Sequence, residues 1–568
     1  MSWLPLLRSL LARPLLRGVA PDAAVEILLR FALALVVGLT VLLVSYAGLR
    51  AAGVASRGLP AWLGLAAALA IVLRAPGDAA LRSALALLAT LAGALTLSWL
   101  VIDTQFDSQR YHAAGVEALL RGWNPYADPP VAGPTATWTN HYPKGVWMMA
   151  AALIDATGSY ETGKAVNPIL AAAAWAACAA WLLHLGFVRA AAIAIATLLV
   201  ANPIISTQLL SLYVDGALAA TAIAFLACAA LALAGVSRRI SLATAACLAL
   251  LLPTMKFTGI YFGAASLVAL GLIAVFGGRG RHAVLPLAGL ALALALGTAV
   301  LAFNPYVTNW ITAGHPLHPV LGAAAAPIIA VQEMPELQRW PLPIRMLLSV
   351  ASRSAQIAGG PIPLKPPFLI FPGEVTILWM PDLRLGGFGP WFSGGVLLAG
   401  LAVGRRWGRG VSPAGRELLM LAGSLAVICS VVPGGWWARL VPLLWAAPIL
   451  AAAAVLHSAP PRARGRALAF ASLVVLAANA GAIGSAASAA AVVRSVIVNT
   501  QMRSLELLQS PLRVAFGRTL AYRVRFAERG LVVVEVAAEA CTQGRHLSFS
   551  DTWVCPDPPA PEGSKPSP

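Results

Sequence analysis

Apolar residues in this chain fall into long blocks, mostly of about 15 to 25 residues and separated by short Arg-rich or Pro/Gly-rich breaks, close to the ~20 residues a helix needs to cross hydrocarbon. Of all residues 59% are hydrophobic and only 11% charged, against about a quarter charged in soluble domains. One soluble core has no room for that much apolar surface, so the blocks predict an all-α polytopic membrane protein. Spans are read near 25–48, 59–73, 84–102, 166–185, 190–201, 214–234, 240–252, 259–276, 283–303, 390–403, 418–432, 441–456 and 467–488, about thirteen in all.

The distribution of Arg and Lys over the short loops sets the expected orientation. With the N-terminus inside, the inner segments hold Arg8, Arg13, Arg17, Arg74, Arg82, Arg189, Arg238, Arg239, Arg279, Arg281, Arg405, Arg406, Arg409, Arg416, Arg462, Arg464 and Arg466. The short outer loops hold only Arg50, Arg57, Lys256 and Arg439. Much of the net charge of +18 is then topogenic, and no nucleic-acid partner is needed to explain it. Met1–Val19 is basic and apolar without a small-residue cleavage site, so the first span reads as an uncleaved anchor rather than a signal peptide.

The expected organisation is a cytoplasmic N-terminus (1–24), three spans (25–102), a first outer loop (103–165) and further spans (166–303). A second outer loop with interfacial helices (304–389), the last spans (390–488) and a small extracytoplasmic tail (489–568) complete it. In the tail, Ser495–Gln509 is read as an amphipathic helix, Leu531–Val536 as a strand and Pro556–Pro568 as disordered. Cys541 and Cys555 both fall in the tail, where an outside placement lets a disulfide persist, and are expected to pair.

Most acidic residues fall on the outer side, densest in IDTQFDSQRYH from Ile102. If that stretch is helical, Asp103 and Asp107 share a face at i, i+4, and Arg110 and Tyr111 follow Asp107 at i+3 and i+4. A carboxylate there suits a general base; the plainer reading is helix capping and a surface ion pair. His141, Tyr142 and Lys144 lie in TNHYPKG, where the lysine suits a phosphate or simply snorkels to headgroups. Asp215, Lys256 and Arg439 stand at outer span ends, where ionisable groups are costly and become functional candidates. Trp436 and Trp437 read first as interfacial belt residues. His315 and His318 lack an evident third ligand for a metal.

These stretches together resemble the membrane-embedded glycosyltransferases of the GT-C superfold. The resemblance is carried by Asp107 in FDSQRYH, the turn Gly122, Asn124, Pro125, Tyr126, the element Tyr142, Pro143, Lys144, the later segment Asn304 to Pro319, and Trp436–Arg439. It departs in having two spans before the one leading into the acidic loop. It implies a bacterial inner-membrane enzyme that takes a sugar from a polyprenyl-phosphate donor entering from membrane lipid. The acceptor is a glycan, lipid or protein, and the chemistry takes place on the extracytoplasmic face. Asp107 is then the base, with Asp103 as second choice. Arg110, Tyr111, Asn124, Tyr126, His141, Tyr142, Lys144, Asp215, Lys256, Trp437 and Arg439 are the substrate-binding candidates, with Lys144, Lys256 and Arg439 for the donor phosphate. A divalent cation, Mg or Mn, shared by Asp103 and Asp107 stays open. Competing readings are a transporter or flippase of lipid-linked glycans, a polysaccharide ligase or polymerase using Arg339, Arg345, Arg353, His315 and His318, and a structural partner.

Overall fold

A computed structural model describes residues 21–356, 359–406, 410–508, 511–541 and 544–556. Met1–Val19 and residues 557–568 of the Pro/Ser-rich end lie outside them, while the first span, read as the anchor, is the helix 22–51. Among the described residues nine helices are long and apolar enough to span a membrane: 22–51, 78–100, 160–184, 215–233, 238–255, 257–276, 280–301, 413–430 and 464–506. The other four segments read as spans are shorter helices. Arg189–Val200 has 12 residues, Leu59–Val72 has 14, Phe392–Arg406 has 15, and 442–458 is a short apolar pair of turns and helix. At 1.5 Å per residue, 12 to 15 residues reach only about 18 to 22 Å, short of the ~30 Å hydrocarbon core.

Burial runs highest in Asp215–Leu233, whose sequence of Ala, Leu and small residues lets neighbouring helices approach from every side. Around it pack Val166–His184 and Arg238–Met255. The chain breaks at Lys256, which is extended (φ −158°, ψ 155°) between two helices.

Two regions differ from the sequence reading. The first outer loop includes a 13-residue helix, Gly145–Thr157, whose first ten residues are buried. It is too short to register as a span, yet it packs inside the bundle against Asp22–Ala51 and Ala113–Leu120. The last span does not stop near Ser488. Arg464–Glu506 is one helix of 43 residues, about 65 Å long, and absorbs most of the stretch read as a separate amphipathic helix. No Pro interrupts it, so nothing in the backbone ends it at the membrane surface.

The helix delivers the tail, a four-stranded sheet in the order β2-β1-β4-β3. The strands are β1 (Leu512–Ala515), β2 (Val533–Glu535, inside the predicted strand), β3 (Arg545–His546) and β4 (Trp553–Cys555). β1 pairs parallel with β2 and antiparallel with β4. Cys541 and Cys555 are joined by a disulfide. The helix Ala521–Glu528 lays Tyr522 and Phe526 on a small core with Val514 and Leu547.

The segments assigned to one side of the membrane gather at one end of the bundle. Asn304 Nδ2 donates to Pro125 O (2.7 Å), which joins the two NPY turns, and Arg110 pairs with Asp551 of the tail. At the opposite end Arg279 meets Glu417 (3.3 Å), and Arg406 donates to Ser458 O (2.8 Å).

Candidate active site

The span Asp78–Leu100 ends in extended backbone at Val101 (φ −106°, ψ 123°). Asp103 therefore lies in non-helical chain and shares no helical face with Asp107. The helix resumes just before Asp107 and passes at once into a π-helical turn, Ser108–His112. Such turns cluster at functional sites because the extra residue re-aims side chains. Here Tyr111 reaches back towards Asp107 Oδ2 (3.5 Å), while Gln109 and Arg110 reach the tail, to Phe549 O and to both oxygens of Asp551 (2.8 Å each). Arg110, a candidate neighbour for Asp107, is thus committed elsewhere.

The two aspartates have different surroundings. Asp103 is buried; Oδ1 accepts from Gln105 N (3.0 Å), and Oδ2 accepts from Ser108 Oγ and Leu212 N (2.8 Å). Burial raises its pKa, against the nearby Lys164 charge. Asp107 is partly open, at 18% side-chain exposure, and faces a cavity of about 460 Å³. Its Oδ2 accepts from Arg439 Nη1 (3.0 Å), and Oδ1 has no protein partner among the described residues. Asp103 is absent from the cavity wall, so the two carboxylates do not converge on a shared ion. Among the described residues no group of three or more His, Cys, Asp or Glu side chains is placed to hold a metal.

Around Asp107 the cavity collects cations from distant parts of the chain. Arg439 comes from the turn after the Trp pair, and its guanidinium lies over Trp437 (4.5 Å) and Tyr213 (5.7 Å). The extended break at Lys256 lets its side chain both line the cavity and pair with buried Asp215, which also accepts from Gln208 Nε2 (3.0 Å). Tyr142 and Trp437 add apolar wall; Trp437 stacks on Trp436 at 5.4 Å and 9°.

Asp382 and Arg384 are charged wall residues with no counterpart among the sequence candidates. Asp382, from MPDLR in the second loop, lies 3.4 Å from Arg439 Nη1, so one guanidinium nitrogen bridges two carboxylates. Burial pushes the Asp382 carboxyl up to about 6, Asp107 adds to the rise and Arg439 opposes it. Arg384 lies with its guanidinium over Trp437 (4.2 Å). The available signal was an acid and a base two residues apart in a Pro-rich outer loop, which is weak on its own.

Other candidates stand outside the cavity. Lys144 is buried; its ammonium donates to Asn140 O (2.8 Å) and Tyr142 O (2.7 Å), with the Trp123 and Trp147 rings nearby. Burial lowers its pKa well below that of an ordinary lysine. It closes the YPK turn and does not face the site. Asn124 Oδ1 accepts from Tyr126 N (3.0 Å) in an Asx-type turn, and Tyr126 Oη contacts Met148. His141 Nδ1 bonds Asn309 Oδ1 (2.7 Å), with its ring 4.7 Å from that of His318. The His141 contacts fasten the first outer loop to the second. His112, beneath the site, accepts at Nδ1 from Trp147 Nε1 (2.8 Å); burial lowers its pKa to about 3, so it stays neutral.

No family model matches the chain, and no curated protein matches its sequence. Among solved structures, it is similar to the crystal structure of ArnT from Cupriavidus metallidurans bound to undecaprenyl phosphate. The TM-score is 0.46 and the identity 16%, over 79% of this chain and 86% of that one. A likeness at that level assigns neither a family nor an activity to this chain.

Proposed function

We propose that this protein is an integral-membrane glycosyltransferase of the GT-C type that moves a sugar from a polyprenyl-phosphate donor to an acceptor hydroxyl. The observation that carries the reading is Asp107. One oxygen is clamped by Arg439, the other is unengaged by protein, and Lys256 and Arg384 line the same cavity. Transfer needs both parts. A base must take the acceptor proton, and fixed cations must stabilise the charge that develops on the leaving phosphate.

In this reading the acceptor hydroxyl gives its proton to Asp107 Oδ1 as its oxygen bonds to the anomeric carbon. The bond from that carbon to the phosphate oxygen breaks, and the electron pair leaves with the polyprenyl phosphate. Arg439 then has two tasks, orienting the base and facing the leaving group, while Lys256 and Arg384 supply further positive charge. The active face is extracytoplasmic by the Arg distribution.

Two rival readings are disfavoured by particular contacts. A transport path calls for ionisable groups near mid-membrane, yet charged residues in the spans keep away from their middles, as Asp215 and Glu161 do at span starts. For a ligase or polymerase, Arg345 and Arg339 are already paired with Glu333 (2.8 Å) and Glu336 (3.1 Å), and neither lines the Asp107 cavity.

The test is transfer from radiolabelled polyprenyl-phosphate sugars by protein reconstituted in vesicles. Asp107→Asn is expected to lower the rate by about 10²–10⁴-fold, the usual contribution of a positioned base. Full transfer by that variant would overturn the assignment.

A further inference from the structure

Beside the Asp107 cavity lies a second one, of about 510 Å³, within the range of roughly 300–1,000 Å³ typical of small-ligand sites. The two share the wall residues Phe106, Arg110, Asp382 and Arg384, so they meet at the candidate reaction centre. The second is lined mainly by three parts of the chain, the start of the first outer loop, the Trp379–Arg384 segment, and the tail with the long helix that carries it, with Tyr213 and Gln356 completing the wall.

Its lining is distinctive. Arg494, on the long helix, is sandwiched between the rings of Trp379 (3.6 Å) and Phe549 (4.6 Å). Its guanidinium faces are covered, and its in-plane N–H groups have no carboxylate or carbonyl partner among the described residues. The side-chain amide of Gln105 is likewise without a partner there. Phe549 holds φ +60°, a costly conformation for a bulky residue that points to an imposed position. Gln109 Nε2 fixes that residue's carbonyl, and the neighbouring Asp551 is held by Arg110.

The tail is also docked firmly enough to serve as a wall. Buried Arg525 donates to Glu161 Oε1 (2.9 Å), Gln109 Oε1 (3.0 Å) and Asp103 O (2.6 Å). The chamber is therefore built before any ligand arrives.

We propose that this tail-walled chamber is the acceptor site and that the acceptor is a saccharide. Aromatic rims with planar amide and guanidinium donors match a molecule that has C–H faces and a ring of hydroxyls. A lipid chain calls for an aliphatic lining, and Met380 and Pro381 are the main contribution of that kind here. The segment from Asp107 to Arg110 then serves both substrates: Asp107, on the wall of the neighbouring cavity where the two meet, takes the acceptor proton, and Gln109 and Arg110 hold the acceptor wall. The proposal rests on the sugar-transfer reading of the Asp107 cavity for its role, though not for its ligand.

The test uses full-length protein in nanodiscs on an array of defined neutral and anionic oligosaccharides and, in parallel, on a peptide array. Polyprenyl-phosphate binding is measured on the same preparations. Wild type is expected to retain a subset of glycans. Phe549→Ala and Arg494→Gln should each weaken that retention at least tenfold while polyprenyl-phosphate binding is unchanged. Gln105→Ala, on the partly exposed rim, should weaken it about threefold and covers the case in which the sandwich variants do not fold. Wild-type protein that retains no glycan, or only peptides, overturns the proposal, as does glycan retention unaffected by these variants. Asp107→Asn separates the two readings. If it keeps glycan binding and loses transfer, both stand; if it keeps transfer, the donor-site reading fails while the glycan result is judged by itself.

Discussion

Two clusters of charge lie close together at one end of the bundle and are built on opposite plans. In one, Asp103, Glu161, Lys164 and Arg525 close on one another: Arg525 has three acceptors, Lys164 meets Glu161 and Val101 O, and both Asp103 oxygens are filled. In the other, Arg439 is shared by Asp107 and Asp382, Lys256 keeps a place on the cavity wall, and Asp107 Oδ1 is unengaged. A closed network fixes position, whereas an open one keeps bonding capacity for a substrate. The open cluster is also the less buried, and completeness of hydrogen bonding marks the same division.

That contrast can be broken by substitution. The largest effect should come from Arg525→Met, which leaves buried Glu161 Oε1, Gln109 Oε1 and Asp103 O without their donor and is expected to destabilise docking of the tail by about 3–5 kcal/mol. Limited proteolysis should then cut the tail faster, and intact docking would mean that the closed cluster is not what holds it. Next, Lys256→Gln should weaken donor affinity roughly tenfold (~1.4 kcal/mol) and also lower stability by leaving Asp215 unpaired. The double variant Lys256→Gln/Asp215→Asn should recover the melting temperature but not the affinity. Recovery of both would make the pair structural, like its closed neighbour.

A smaller effect concerns pH. With its carboxyl pushed up to about 6, Asp382 is neutral below that pH and charged above it. A new negative charge competes with the donor phosphate for Arg439, so donor affinity should fall as pH rises through about 6. Asp382→Asn should flatten that limb in a binding titration. The sign for stability is the same: a raised carboxylate pKa favours the folded protein at low pH, and the advantage is lost from about 4 to 6 as the pH rises. The smallest change is expected for Lys144→Met, with donor affinity within about twofold (~0.4 kcal/mol). A larger loss would place Lys144 in the site despite its carbonyl partners.

The sequence carried much of the membrane region, because hydropathy is a local property and span starts such as Asp78, Asp215 and Pro413 fall where apolar blocks begin. Gly145–Thr157 is not evident from hydropathy because it is embedded in a stretch, 103–165, that is otherwise too polar and Pro-rich to span. Lys256 and Arg439 draw notice because charge at a span end is expensive, which makes it conspicuous in one dimension, and Asp107 because it lies in the densest acidic stretch of the outer loops. Asp382 and Arg384 lie in a polar loop, where charge costs nothing and so attracts no notice. Lys144 was read from a short motif, and only the folded turn shows its ammonium used by Asn140 and Tyr142. The Arg110–Asp551 and Arg525–Glu161 pairs span 441 and 364 residues and leave no local trace.

The 43-residue helix has a consequence for geometry. It is about 65 Å long, and crossing the hydrocarbon uses roughly 30 Å of that. Ser495 Oγ already accepts from Ile102 N (2.8 Å) just past the Asp78–Leu100 span, so residues 495–506 continue beyond that exit as a short mast beside the docked tail. A molecule presented too close to the headgroups, or too far beyond them, would miss the opening between mast and bundle. The length of a helix, more than any single side chain, would then select acceptors by their reach.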